Sequence, residues 1–162
     1  MLTWELVKPE FAWEGSLRDV CVQDVDVASW RIAIAALVDQ GFESRFTVGG
    51  VVVERPDDVG LLFEGDRDEL VCWSLWTEGV LLNCHFFDPG EIEFDLDPRE
   101  VTGQSQFDAL VRVMSLLASS TGRPALMTPE NMHDAPIVRV EPSGETRYVS
   151  SDGFFEKAAR NR

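Results

Sequence analysis

The stretch that decides the fold is residues 71–97, VCWSLWTEGVLLNCHFFDPGEIEFDLD. Three runs of strand-forming residues alternate here with two short segments typical of turns, 77–79 and 88–90. In the second turn, Pro89 sets φ at one central position and Gly90 accepts positive φ at the next. Strands joined by such short turns pair with their neighbours in antiparallel fashion. The stretch therefore predicts a three-stranded antiparallel meander.

The third run alternates strictly between acidic and apolar residues. Because strand side chains alternate between the two faces of a sheet, its apolar residues share a core-facing side. The opposite side carries a row of four carboxylates: Glu91, Glu93, Asp95 and Asp97. Asp is a poor strand former, so local propensity does not account for Asp95 and Asp97. The row is either a solvated face that discourages pairing with other chains or a surface that binds cations or a basic partner.

The charge of the whole chain limits its partners. Asp and Glu total 29 against 14 Lys and Arg, which gives a net charge of −15. Such a surface repels nucleic acid and anionic membranes and favours encounter with basic proteins or divalent cations. No apolar run approaches the roughly 20 residues that span a bilayer, and the first residues show no signal-peptide pattern. We therefore expect a cytoplasmic protein that binds neither nucleic acid nor membranes.

The three cysteines support the same compartment. Cys21, Cys72 and Cys84 are odd in number and lie in apolar, strand-like contexts. That pattern is typical of reduced core cysteines and not of a disulfide framework. The sequence also has no P-loop, no GxGxxG pattern and no CxxC pair. We therefore expect no cofactor.

Two amphipathic helices are predicted from apolar residues at helical spacing. The first spans 27–40 and follows Asp26, a typical N-cap. The second spans 103–121, with Thr102 as its expected N-cap and Gly122 at its end. Each helix has a single apolar stripe, which favours packing of both helices on one face of a sheet.

Further strands are predicted where apolar and β-branched residues cluster between turn signals. They are 2–7, 17–22, 42–53 with a bulge or hairpin at Gly49–Gly50, 59–63, 125–128, 137–140 and 146–149. The fold class is therefore α+β, with an antiparallel β-sheet of six or more strands and two main helices packed on one face. Residues 1–150 are expected to form a single domain, and residues 151–162 a C-terminal tail or short helix.

Two histidines bear on possible chemistry. Cys84 and His85 are adjacent on a strand and point to opposite faces, so they cannot form a nucleophile–base dyad. If Cys84 faces the core, His85 faces the carboxylates. His85 with Glu91 and Glu93, or with Asp95, across the turn 88–90 would then suit Mg²⁺, Mn²⁺ or Zn²⁺. His133 lies in a predicted loop, where a lone histidine is usually a surface residue.

Tryptophans provide candidate contact residues. Trp73 and Trp76 have opposite parity on one strand, so at least one should be partly exposed. An exposed Trp beside acidic residues is typical of an interaction hot spot. Trp13, near a turn, is interpreted as covering the edge of the core. The predicted partner-binding set is Glu91, Glu93, Asp95, Asp97, Trp73 and Trp76.

Two segments resemble known proteins. Residues 91–100, EIEFDLDPRE, followed after a helix by residues 126–131, LMTPEN, resemble small acidic bacterial proteins of unknown function. Some proteins of this kind are similar to the immunity partners of polymorphic toxins. The shared motifs are structural in character and not catalytic, so no site residues carry over. The resemblance implies a cytoplasmic bacterial protein that binds a partner.

Three functions remain open. The first is a non-enzymatic binding protein, of the kind of an immunity-type inhibitor, whose acidic strand face binds a basic protein such as a toxin. The second is a metal-dependent enzyme that uses His85 with Glu91, Glu93 and Asp95. The third is a homo-oligomeric structural protein whose sheet edges pair. The sequence leaves both a monomer and a homodimer open.

Overall fold

A computed structural model describes residues 1–64 and 68–149. Within these residues the chain forms one antiparallel sheet and three α-helices, α1 (Trp4–Val7), α2 (Val27–Asp39) and α3 (Gln104–Thr121). The strands are β1 (Arg18–Gln23), β2 (Glu43–Val48), β3 (Val51–Val52), β4 (Val71–Thr77), β5 (Val80–Asp88), β6 (Glu91–Leu96), β7 (Ala125–Pro129), β8 (Val138–Val140) and β9 (Thr146–Tyr148). Single turns of 3-10 helix occur at Lys8–Phe11, Val59–Phe63 and Pro98–Glu100. The predicted tail, residues 151–162, lies outside the described residues.

The predicted meander lies in the middle of the sheet, with further strands on both sides. Its strand order is β3-β2-β4-β5-β6-β1-β7-β8-β9, and all neighbours pair antiparallel. The meander is confirmed as β4–β5–β6. The first strand in the chain, β1, becomes central because it pairs with β6 on one side and β7 on the other. The α+β fold with six or more antiparallel strands is therefore confirmed.

The two long helices cover one face of the sheet. Asp26 caps α2 as predicted, because its side chain accepts a hydrogen bond of 2.8 Å from the Ser29 N–H. The ring of Trp30 on α2 packs 5.2 Å from Phe86 on β5, and α3 contacts α2, β1, β4, β7 and β8. The predicted packing of both helices on one face is confirmed. In the described part of the chain no helix has the length and apolar character needed to cross a membrane.

Two of the predicted strands are wrong. Within residues 2–7, Trp4–Val7 form α1, followed by a 3-10 turn, because Trp4, Val7 and Phe11 recur at a helical spacing of three to four residues. Trp4 packs on Phe11 with ring centroids 5.4 Å apart, and Phe11 packs on α3. Residues 59–63 form a 3-10 helix, opened by the Asp58 side chain, which accepts a hydrogen bond of 2.9 Å from the Gly60 N–H. Both segments carry apolar residues three positions apart, a spacing that indicates a helical turn and not a strand.

The conformations of the turns and the helix N-cap can be compared with those predicted from the sequence. Gly49–Gly50 and Glu78–Gly79 both have positive φ at each position, which is the geometry of a two-residue hairpin turn, so the hairpin alternative at Gly49–Gly50 is correct. Gly90 does not have positive φ, contrary to expectation; its N–H instead donates to Asp88 Oδ1 at 2.7 Å. The predicted N-cap Thr102 is also wrong, because the N-cap of α3 is Gly103.

Candidate functional site

The carboxylate row lies on the face of the sheet opposite the helices. On β6, Ile92 and Phe94 are buried in the core, whereas Glu91, Glu93 and Asp95 are half-buried on the other side. Strand register places residues of the adjacent strands beside them. We call the resulting surface the acidic face and define it by Asp19, His85, Glu91, Glu93, Asp95 and His133.

One histidine of the acidic face pairs with Asp95. His85 projects from β5 beside β6, and its Nε2 lies 2.5 Å from Asp95 Oδ2. The other oxygen of Asp95 accepts a hydrogen bond of 3.3 Å from Asn83, and the His85 ring stacks on Phe87 with centroids 5.0 Å apart. The hydrogen bond to Asp95 raises the pKa of His85. A protonated His85 therefore compensates the charge of Asp95.

The second histidine reaches the face from a loop. His133 lies between β7 and β8, and its ring places Nε2 3.0 Å from Asp19 Oδ2 and Nδ1 2.8 Å from Glu91 Oε1. The Asn131 N–H also donates to Asp19 Oδ2, at 2.8 Å, so the loop covers Asp19 and leaves its side chain only 3% exposed. Burial opposes the charge on His133, but the Asp19 hydrogen bond and the nearby Glu91 and Glu93 carboxylates outweigh it, and the pKa of His133 is raised.

Glu93 occupies the centre of the acidic face. It lies opposite Cys21 on β1 and His85 on β5. Among the described residues, its one oppositely charged partner within 4 Å is His133, whose Nε2 lies 4.0 Å from its Oε1, and no Lys or Arg of that set lies so close. Burial, together with the carboxylates of Asp19 and Glu91, raises the pKa of Glu93. The structure therefore holds this carboxylate among like charges.

The face retains negative charge even when both histidines are protonated. Asp19, Glu91, Glu93 and Asp95 contribute four negative charges, and two imidazolium groups contribute two positive ones. The difference is a net charge of −2 on one continuous patch. Buried or half-buried charge of this kind is unfavourable unless a cation relieves it.

Asp97, by contrast, is compensated within the chain. The guanidinium of Arg99 lies 2.7 Å from its carboxylate, and this contact holds the pKa of Asp97 below its usual range. Arg99 also lies 3.9 Å from the ring centroid of Trp13, which is 47% exposed. Sequence reasoning assigned Trp13 to the edge of the core, and nothing in the local sequence indicates its contact with Arg99.

The two predicted tryptophan contacts have different environments. Trp73 is 2% exposed and packs in the core, so it presents almost no surface to a partner. Trp76 is half-buried on the opposite side of β4, with the Arg45 guanidinium 5.3 Å from its ring centroid. Of the two, only Trp76 is accessible to a partner.

The predicted metal ligands Glu91 and Glu93 lie nearer to His133 than to the predicted histidine, His85, which pairs with Asp95. In the part of the chain that the structure describes, His85 belongs to no group of three close ligand atoms. Among the described residues, the groups whose ligand atoms lie within 4.8 Å of one another are Asp19 with Glu93 and His133, and Cys21 with Glu91 and His133. Sequence reasoning missed His133 and Asp19 because their proximity depends on the path of the loop across β1.

The cysteines provide no activated nucleophile. Cys84 is fully buried and points away from His85, which confirms that these two residues form no dyad. Burial raises the pKa of the Cys84 thiol and also that of Cys72, which is half-buried. A thiol that stays protonated is a poor nucleophile.

Comparison with protein-family models, with curated proteins and with solved structures found no match.

Proposed function

We propose that this chain is a non-enzymatic binding protein that uses the acidic face to hold a basic partner protein, in the manner of an immunity-type inhibitor. The observation that supports the proposal is the uncompensated charge centred on Glu93. A Lys or Arg of the partner placed about 4 Å from that carboxylate gains roughly 4 kcal/mol at an effective dielectric constant of about 20. The raised pKa of Glu93 would then return toward its ordinary value. Binding thus relieves a repulsion that folding alone leaves in place.

Aromatic side chains lie at one end of this surface. Trp76 is opposite Leu81, and Asn83 is opposite Asp95, so Trp76 lies toward the Asp97 end of the neighbouring strands. Trp13 is joined to Asp97 through Arg99. Interface energy is commonly concentrated in such aromatic residues, while charges set the association rate and the choice of partner. We therefore assign affinity to Trp13 and Trp76 and specificity to Glu93 and its neighbours.

The compartment and the type of partner form part of the same proposal. All three cysteines are free thiols, which fits a reducing cytoplasm. The net charge of −15 favours a basic partner at long range. Residues 91–100 and 126–131 resemble small acidic bacterial proteins, some of which are similar to the immunity partners of toxins, and this likeness agrees with both points. The partner class is therefore a basic protein, such as a toxin, that is neutralised by a direct contact.

The test is affinity capture from the native lysate with matched variants. Wild-type protein is compared with Glu91→Gln/Glu93→Gln and with the control Glu54→Gln/Glu145→Gln, which makes the same change at exposed sites near the two edges of the sheet, away from the acidic face. Chelator is present throughout, so bound metal plays no part. Wild type and control should retain one basic protein in stoichiometric amount, and the acidic-face variant should lose it.

Salt dependence provides the second criterion. Raising the ionic strength from about 0.1 M to about 1 M shortens the Debye length from roughly 10 Å to roughly 3 Å. The captured protein should be released over this range. Equal capture by all three forms, or capture that salt does not weaken, would contradict docking through the acidic face.

A further inference from the structure

The two nitrogens of His133 lie in different environments. Nδ1 is 2.8 Å from a single carboxylate oxygen, Glu91 Oε1. Nε2 faces two other carboxylates, with Asp19 Oδ2 at 3.0 Å and Glu93 Oε1 at 4.0 Å. The three side-chain ligand atoms on that second side all lie within 4.8 Å of one another. We infer that Asp19, Glu93 and His133 form a binding site for a divalent first-row cation such as Mn²⁺ or Zn²⁺.

Glu91 places a carboxylate on the side of His133 that faces away from the candidate ligands. In metal-binding histidines a carboxylate beside the other ring nitrogen favours the tautomer whose free lone pair faces the metal. Glu91 Oε1 lies 2.8 Å from Nδ1, so a neutral His133 that carries its proton on Nδ1, beside this carboxylate, directs its Nε2 lone pair toward Asp19 and Glu93. Three electron-rich atoms would then face one another. Either a second proton on Nε2 or a metal ion must lie between them.

The charges on the site fit a divalent ion better than a proton. Asp19, Glu91 and Glu93 carry three negative charges, and a protonated His133 offsets only one. A divalent cation that replaces the Nε2 proton binds the two carboxylates and the imidazole, and the proton is released to solvent. This exchange leaves the imidazole neutral and adds one positive charge to the cluster. The repulsion among the carboxylates of Asp19, Glu91 and Glu93 is thereby reduced.

Two of the three proposed ligands lie on central strands of the sheet, and the third lies on a loop that is hydrogen-bonded to one of them. Asp19 and Glu93 project from neighbouring central strands, β1 and β6. Asp19 is nearly fully buried, and the Asn131 N–H fixes its Oδ2 at 2.8 Å while anchoring the loop that carries His133. Two carboxylates and one imidazole suit Mn²⁺ or Zn²⁺ better than Mg²⁺, which seldom takes nitrogen ligands. Three protein ligands leave further positions for water.

The site does not depend on the proposed partner, although it shares Glu93 with the proposed docking surface. Metal uptake is measured on the purified full chain alone, and partner capture is measured in chelator. A negative result for metal binding therefore does not contradict the proposed partner, and a negative result for partner capture does not contradict the metal site.

The test is titration with Mn²⁺, followed by the electron paramagnetic resonance signal of the free aqueous ion. This probe avoids the three thiols, for which Mn²⁺ has little preference. Wild type should bind one Mn²⁺ per chain, more weakly at about pH 5.5 than at about pH 7.5, because His133 must lose a proton to bind.

The variants separate the site from general attraction to acidic residues. His133→Gln and Glu93→Gln should each weaken binding by about tenfold or more. The matched control His85→Gln removes the other carboxylate-paired histidine and should change affinity by less than about threefold. Circular dichroism confirms that each variant folds. Binding that His133→Gln leaves unchanged, an equal loss in His85→Gln, or no binding at all would overturn the inference.

Discussion

Replacing Glu93 by Gln should stabilise the fold at alkaline pH and have little effect at acidic pH. Burial disfavours the charged form of Glu93, and two opposing charge interactions make the effect depend on pH. Glu93 repels Asp19, whose ligand oxygen lies within 4.8 Å, and it attracts a protonated His133, whose Nε2 lies 4.0 Å away. At an effective dielectric constant of about 20, the repulsion is about 3.5 kcal/mol and the attraction about 4 kcal/mol. The two nearly cancel while His133 is charged.

Above the pKa of His133 only the repulsion remains. The folded-state pKa of Glu93 is raised, so its charged form destabilises the fold increasingly as pH rises through that value. Removing the charge should therefore add about 1–2 kcal/mol to the free energy of unfolding near pH 9, once solvent screening reduces the Coulomb figure. Near pH 6 the change should lie within about 0.5 kcal/mol of zero.

Urea denaturation at the two pH values measures the effect. The control is Glu43→Gln, an identical substitution on an exposed strand position that makes no ion pair in the part of the chain the structure describes. The control should change stability by less than about 0.5 kcal/mol at either pH. A Glu93→Gln variant that is destabilised near pH 9, or that behaves as the control does at both values, would refute the reasoning.

Three other predictions concern the histidine pair, the core and a helix cap. The hydrogen bond to Asp95 raises the pKa of His85. The contribution of His85 to stability is therefore complete below about pH 6.5 and is lost as pH rises through its folded-state pKa. The urea midpoint should fall over that range, and it should fall less in His85→Gln. Trp30→Phe should cost about 1–3 kcal/mol in thermal unfolding, because it removes the indole N–H that donates to the Pro89 carbonyl at 3.1 Å; no loss would contradict that hydrogen bond. Asp26→Ala should cost about 1 kcal/mol by the same assay, and a neutral result would show that the N-cap contributes nothing to α2.

Local sequence predicted the elements whose periodicity is long or whose turns are short. The meander follows from strict alternation in residues 91–97 and from the turns at Glu78–Gly79 and 88–90. Helix α2 follows from its apolar stripe and from Asp26. The strand predictions for the short segments 2–7 and 59–63 are wrong because four or five apolar residues fit a strand and a helical turn almost equally well.

The candidate site likewise has a part that local sequence predicts and a part that depends on long-range contacts. Alternation on β6 predicted that Glu91, Glu93 and Asp95 share a face with His85, because all four belong to one hairpin. Pairing of β1 with β6 brings Asp19 to the face by placing it opposite Asp95, which lies 76 residues further along the chain. Contact between His133 and Asp19 spans 114 residues. Such long-range contacts leave no pattern in one sequence, so the centre of the site could not be predicted.

Glu93 is the residue on which the account depends most. If its charge is retained for binding, the same substitution that stabilises the fold near pH 9 should weaken the complex. The decisive measurement is the dissociation constant of the captured basic protein with Glu93→Gln and with Glu54→Gln, an exposed control site beside the edge strand β3, at low salt and in chelator. Loss of one member of a buried charge pair costs about 2–5 kcal/mol, so Glu93→Gln should bind at least tenfold more weakly than the control. Equal affinity of the two variants would contradict the acidic face as the binding surface.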